Sequence, residues 1–251
     1  IALSNKYKEP LHVIGNGTKM LVLDKGIRGI IVKIRNVLDE VRFFEEEVIA
    51  GSGMFLSRLS MLTAEKGLSG LEFGIGIPGT IGGAVVMNAG AHGQSVSNII
   101  TSVTVMNMKG ETRVLSKEDL EFDYRRSILQ ESRKIVLSAI FKLRKEETQK
   151  IQERIEKFVR WRKKAQPLGL PNAGSIFTNP KNDYAGRLID AAGLKGARVG
   201  DAEVSTFHAN FIVNLGNAKA EDVLTLMHMI QREVYKRFRI NLVPEVRILG
   251  E

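Results

Sequence analysis

The stretch Gly74-Ile-Gly76-Ile77-Pro78-Gly79-Thr80-Ile-Gly82-Gly83-Ala-Val-Val-Met-Asn88-Ala89-Gly90 concentrates the residue type that lets a ligand touch bare backbone. Glycine tolerates positive φ and leaves room for a flat or anionic group to reach N–H donors. A second glycine turn, Gly15-Asn16-Gly17-Thr18-Lys19, lies near the start of the chain. Two such loops suit a cofactor with phosphates at one end and a ring at the other. On these residues alone, tight turns between short strands remain the lesser alternative. Gly74, Gly76 and Gly79 match G-x-G-x-x-G, but that fingerprint must end a strand and open a helix, with an acidic residue about twenty positions on. Here Pro78 interrupts it, the following Ala84–Met87 reads as β, and no such acid follows.

Three further segments set polar residues in apolar or glycine-rich surroundings: Phe122-Asp123-Tyr124-Arg125-Arg126-Ser127, Ala173-Gly174-Ser175-Ile176-Phe177-Thr178-Asn179-Pro180, and Pro244-Glu245-Val246-Arg247-Ile248-Leu249-Gly250. Taken singly they read blandly, as a turn hydroxyl at Ser175, a solvated pair at Arg125–Arg126 and a surface ion pair at Glu245–Arg247. The chain contains no cysteine, so redox chemistry would have to come from a bound cofactor. Its four histidines, His12, His92, His208 and His228, have no metal-ligand spacing, and no metal is expected.

The net charge of +9 is local, with ten Lys/Arg against four Asp/Glu between Lys142 and Lys164. That segment is either a solvated helix face or a field for an anionic substrate. Basic and aromatic residues are not interleaved, which argues against a nucleic-acid partner. No apolar run is long enough to span a membrane, and no leader with a cleavage site opens the chain.

The elements that must hold these residues are mostly strands at first. Leu11–Ile14, Met20–Leu23, Gly29–Ile34, Val48–Ala50, Ile99–Met106 and Ile135–Leu143 are β-branched runs, and Lys109-Gly110 turns a hairpin. Met54–Lys66 reads as a helix within them. Beyond residue 145, Glu146–Lys164 and Tyr184–Ala192 read as helices, the second stopped by Gly193. Val223, Met227, Ile230, Val234 and Phe238 form one stripe of a last helix, read as core. The pattern predicts an α+β chain with residues 1–145 as one domain and 146–251 as another.

The block G-I-P-G-T-I-G-G-A-x-x-M-N-A-G resembles the flavin-binding segment of UDP-N-acetylenolpyruvoylglucosamine reductases. The three polar segments resemble that family's Y-R-x-S, G-S-x-F-x-N-P and closing P-E-V-R-x-x-G, in the same order. The resemblance implies an FAD-binding fold of the vanillyl-alcohol-oxidase (PCMH) type, followed by a smaller α+β substrate-binding domain of the compact class without an extra substrate loop. It also implies that the family's first strand–helix–strand stretch lies before residue 1.

The implied reaction is NADPH-dependent reduction of UDP-N-acetylglucosamine enolpyruvate to UDP-N-acetylmuramate through bound FAD, in a cytoplasmic monomer. FAD is expected at Gly15, Asn16, Gly17, Thr18, Lys19, Gly76, Ile77, Pro78, Gly79, Thr80, Gly82, Gly83, Asn88, Ala89 and Gly90. Lys19 stands where the family has an amide. Ser175 matches the family's proton donor, Arg125 the arginine that stabilises developing charge, Glu245 the carboxylate beside it, and Tyr124, Asn179, Arg187 and His208 the substrate contacts. Another flavin oxidoreductase of the same fold, or a non-catalytic UDP-sugar-binding module, remains an alternative.

Overall fold

The computed structural model describes residues 1–251, in two compact units. The first comprises residues 1–17 and 29–161, the second residues 18–28 and 162–251. Composition alone puts one boundary near 145. In the structure the break falls after Trp161, inside a helix, and the early segment 18–28 belongs with the C-terminal residues.

The first unit contains helices α1 (Ala2–Tyr7), α2 (Leu56–Glu65), α3 (Ile81–Val86) and the start of α4 (Thr148–Ala165). Its main sheet is antiparallel, with Thr112–Ser116, Ile100–Met106, Ile135–Lys142, Glu47–Gly51 and Val41–Phe44 side by side. Val103 and Val105 face the core, as two-residue periodicity requires, while buried Ile100 falls out of that phase across a register shift in the pairing with Ile135–Lys142. Asn107 shapes the expected hairpin: its Oδ1 accepts from Lys109 N at 2.8 Å and Glu111 N at 3.1 Å. Leu11–Ile14 pairs in parallel with Ile30–Lys33 and leads into Gly15.

One expected element has the wrong type. Ala84–Met87 is not a strand; Ile81–Val86 is a helix. Thr80 caps it, its hydroxyl accepting from Gly83 N at 3.4 Å, and Ile81, Ala84 and Val85 are buried on one side. Packing overrides the β preference of the two valines. A helix therefore does follow the glycines. The dinucleotide fingerprint still fails, because Gly74 and Gly76 lie within a 3-10 turn, Glu72–Gly76, and not at a strand end.

Helix α4 buries Ile151 and is clamped through Arg154. The Arg154 guanidinium donates to Glu72 Oε1 at 2.8 and 3.2 Å, to both oxygens of Glu146 at 2.8 and 2.6 Å, and to Ser69 Oγ at 3.1 Å. Glu72 also accepts from Gly70 N and Ser69 Oγ.

In the second unit, Asn172–Ser175, Phe211–Asn214, Ala202–Val204 and Arg198–Val199 form an antiparallel sheet. Helices α5 (Ala185–Ala191) and α6 (Ala220–Phe238) accompany it. Met227, Ile230 and Val234 are buried in the expected stripe, with Val223 and Phe238 packed against the same core. Met20–Val22 lies parallel to Arg247–Leu249. Asp24 accepts from Ala220 N at 2.8 Å and Glu221 N at 3.2 Å, filling donors that the first turn of α6 leaves open. That cap and that strand pairing tie residues 18–28 to the second unit. No helix is long and apolar enough to cross a membrane.

Candidate active site

In the first unit the two glycine loops meet. Asn16 Nδ2 donates to Pro78 O at 2.7 Å, and Arg35 Nη1 donates to Asn16 Oδ1 at 3.0 Å. A Cβ on Gly15 would stand 2.3 Å from Thr80 Oγ1, so only glycine permits this approach. The sequence gives little warning of a third loop, 51–55, that holds the block. Ser52 O and Met54 O accept from Gly82 N and Ile81 N, each at 2.8 Å, while Leu56 N donates to Gly79 O at 3.0 Å. The first amides of α3 are thus taken by protein acceptors, and this helix end is closed to an anion.

The glycines of the block have two different physical reasons. At Gly74 and Gly90 a Cβ would come within 2.8 and 2.3 Å of Leu56 and Gln94, so internal packing demands glycine, and at Gly82 a Cβ 3.1 Å from Ser52 would be a tight fit. At Gly79 and Gly83 the nearest atoms would be 3.9 and 3.7 Å away, and neither residue has positive φ. Nothing in the protein's own packing requires glycine there. Bare backbone at these two positions fits a flat, phosphate-bearing cofactor lying against the chain. A Gly83→Ala variant should therefore fold at least as well as the parent, gaining about 0.5–1 kcal/mol of helix stability. It should bind FAD more weakly. Melting of the flavin-free protein and a fluorescence titration with FAD measure the two effects; unchanged affinity would remove Gly83 from the cofactor surface.

Asn88 and Arg125 join the block to the Y-R segment. The buried Asn88 donates to Asp123 O at 2.8 Å and accepts from Ser97 N at 3.0 Å, and its N–H donates to Val85 O at 3.1 Å, so this residue holds structure. Asp123 and Arg126 exchange backbone bonds of 3.1 and 3.0 Å, placing Tyr124 and Arg125 at the tip of a tight turn. Arg125 sits at φ 57°, a left-handed conformation that costs a non-glycine residue about 1 kcal/mol. Its guanidinium donates to Gly90 O at 2.7 Å and lies 5.3 Å from the Tyr124 ring centroid. The strained turn thus delivers an arginine to the last glycine of the block. Tyr124 is exposed.

In the second unit a lysine joins Ser175 to Glu245. Lys19 Nζ donates to Ser175 O at 2.6 Å and pairs with Glu245 Oε1 at 2.8 Å. The segments carrying those two residues also touch through Glu245 N, which donates to Ile176 O at 2.7 Å, and through the Phe177–Pro244 bridge. Lys19 is expected at the cofactor's phosphates; its ammonium is instead engaged beside the residues expected to do chemistry, and Thr18 goes with it into this unit.

Asn210 is a positioning residue that the motifs do not single out. Buried, it accepts from Phe177 N at 3.0 Å, donates to Phe177 O at 2.8 Å, and its own carbonyl accepts from Ile176 N. It fixes the chain just after Ser175. Its neighbour His208 has a more structural setting than its expected substrate role. Burial holds its pKa below the usual histidine value, and Nδ1 accepts from Asn210 N at 3.2 Å, which leaves the neutral ring protonated on Nε2. Arg187 is paired bidentately with Asp183, and Asn179 Oδ1 accepts from Ala185 N at 3.0 Å at the start of α5.

Known proteins resemble this chain along nearly its whole length. Residues 166–249 match the C-terminal domain of UDP-N-acetylenolpyruvoylglucosamine reductase, and residues 1–116 match an FAD binding domain. The chain is 44% identical to the UDP-N-acetylenolpyruvoylglucosamine reductase of Bacillus pumilus over 98% of its length and 82% of that protein. It is 44% identical to that of Alkaliphilus oremlandii over its whole length and 83% of that protein. The crystal structure of the reductase from Thermus caldophilus superposes with a TM-score of 0.84 at 38% identity, covering 98% of this chain and 88% of that one. With glycine loops suited to FAD and the matched segments in order, this chain belongs to the UDP-N-acetylenolpyruvoylglucosamine reductase family.

Proposed function

We propose that Arg125, Ser175 and Glu245 carry the chemistry of this enzyme, and that the backbone of Gly15–Gly17 and of Gly76–Gly90 holds its FAD. The protein is an FAD-dependent oxidoreductase that reduces UDP-N-acetylenolpyruvoylglucosamine in peptidoglycan synthesis, with NADPH as reductant. Bound FAD supplies the relay of a hydride from NADPH to the enol-ether carbon. Addition there leaves an electron pair on the adjacent carbon, shared with the substrate carboxylate as an enolate. The Arg125 guanidinium stabilises that charge as it develops. The Ser175 hydroxyl gives its proton to the carbon and regains one from water, which completes reduction of the double bond. Glu245 completes the polar surround of the reacting carbons.

Tyr124, Asn179, Arg187 and His208 are assigned to the substrate's remaining contacts, and we propose a cytoplasmic monomer without nucleic-acid or membrane partners. The observation that carries the assignment is the single ammonium, Lys19, bonded to both Ser175 and Glu245.

The full chain loaded with FAD should lose its visible absorption when NADPH is added anaerobically and recover it on addition of UDP-N-acetylenolpyruvoylglucosamine. Bleaching without recovery would point to another flavin oxidoreductase of this fold. Binding of the sugar nucleotide by a protein that NADPH does not bleach would point to a non-catalytic module.

A further inference from the structure

Lys19 is fixed at both ends. Its carbonyl accepts from Arg247 N at 2.9 Å, where Met20–Val22 joins Arg247–Leu249, so its backbone is anchored two residues from Glu245. Its ammonium reaches across to Ser175 O and Glu245 Oε1. Gly174 lies beside the ammonium at φ 74°, a left-handed conformation that favours glycine; a Cβ there would meet Lys19 Nζ at an ordinary contact distance of 3.5 Å.

The contact matters because the backbone does not settle where the Glu245 carboxylate points. The bond from Glu245 N to Ile176 O brings two loops together, but a glutamate retains three side-chain torsions. The Glu245 side chain is only 10% exposed, so protein groups and not bulk water orient its carboxylate. A lone carboxylate beside an enolate would also oppose the developing charge, whereas an ammonium 2.8 Å away offsets it.

We propose that Lys19 is a positioning residue for protonation: its ammonium holds the Glu245 carboxylate and the Ser175 carbonyl in one arrangement, presetting the geometry of both toward the substrate. The proposal rests on the roles given above to Ser175 and Glu245. It moves Lys19 from the phosphates of the cofactor to the proton-transfer step.

The test follows the two half-reactions separately by stopped-flow absorbance in the FAD-loaded full chain. Lys19→Gln keeps a donor and removes the charge. It should leave reduction by NADPH within about twofold and slow re-oxidation by the substrate on the order of 10- to 100-fold, through the rate and not the half-saturating concentration. Lys19→Arg keeps the charge, moves the donor atoms, and should fall between the parent and Lys19→Gln. Because Lys19 acts through Glu245, the losses should not add: in a Glu245→Gln background, Lys19→Gln should cost less than about twofold more.

Equal slowing of both half-reactions, or fully additive losses, would overturn the proposal. If Lys19→Gln does not retain flavin, Lys19→Arg decides, and an unchanged ratio of its two half-reactions also counts against the idea. Ser175→Ala separates this inference from the functional reading. Normal re-oxidation in Ser175→Ala sinks the reading itself, whereas slow Ser175→Ala beside normal Lys19→Gln sinks only the role of Lys19.

Discussion

Ser175→Ala should slow re-oxidation of the flavin by substrate about 10²- to 10⁴-fold while leaving its reduction by NADPH unchanged. The substitution is unusually clean in this structure. Lys19 holds Ser175 through the backbone carbonyl, and Asn210 holds the next residues through backbone atoms of Ile176 and Phe177. Removing Oγ therefore leaves every described contact of the loop in place. What is lost is the one O–H group proposed to protonate the reacting carbon. Stopped-flow absorbance reads both half-reactions, and the solvent isotope effect should change only in the second. Equal loss in both would show that the hydroxyl shapes the site without supplying the proton.

The second large effect is on stability and lies at the Arg154 clamp. Arg154→Met keeps much of the apolar stem but deprives Glu72, whose side chain is only 4% exposed, of its cationic partner. Removing one member of a buried pair costs about 3–5 kcal/mol. The guanidinium is itself more than a third exposed, so about 2 kcal/mol is the expected loss after solvent screening. Burial alone would raise the Glu72 pKa. The donors Arg154, Gly70 and Ser69 outweigh burial and hold it below the ordinary glutamate value of 4.5. The Arg154 guanidinium brings Glu146 down to about 2.

Both folded values lie below the unfolded ones, so the clamp stabilises fully above the ordinary carboxylate range. Its contribution fades as pH falls from about 4.5 toward about 2. Urea melts at pH 7 and at pH 3 should therefore show a smaller stability difference between parent and Arg154→Met at the acid pH. A difference independent of pH would mean that the clamp works by packing alone.

The residues that the sequence makes legible are those whose reasons are local. β-Branched alternation in Ile100–Met106 and the Asn107–Gly110 turn need only near neighbours to form, and both occur as expected. The stripe of α6 is legible because its period is set by the helix itself. Val85 and Val86 mislead, because their helix depends on Thr80 at its start and on contact with the 51–55 loop, which no short-range pattern encodes.

The same limit governs the site. Arg125, Ser175 and Glu245 are found as members of recurring motifs, but what holds them is long-range: Gly90 for one and Lys19 for the other two. Lys19 reads as a loop cation until the fold carries it to Glu245. Glu72 and Arg154 look like ordinary surface charges, because nothing in their separate segments records that they meet.

The crossing of residues 18–28 into the second unit has a consequence for biosynthesis. Met20–Val22 leaves the ribosome long before its partner Arg247–Leu249 is made. Until then a strand with unsatisfied backbone groups must wait beside a nascent neighbour whose own core strands are already pairing. The final stitch is therefore slow by topology, since closing so long a loop brings its reward only at the end. The same stitch seats Lys19, so its contact with Glu245 forms only once Arg247–Leu249 is in place.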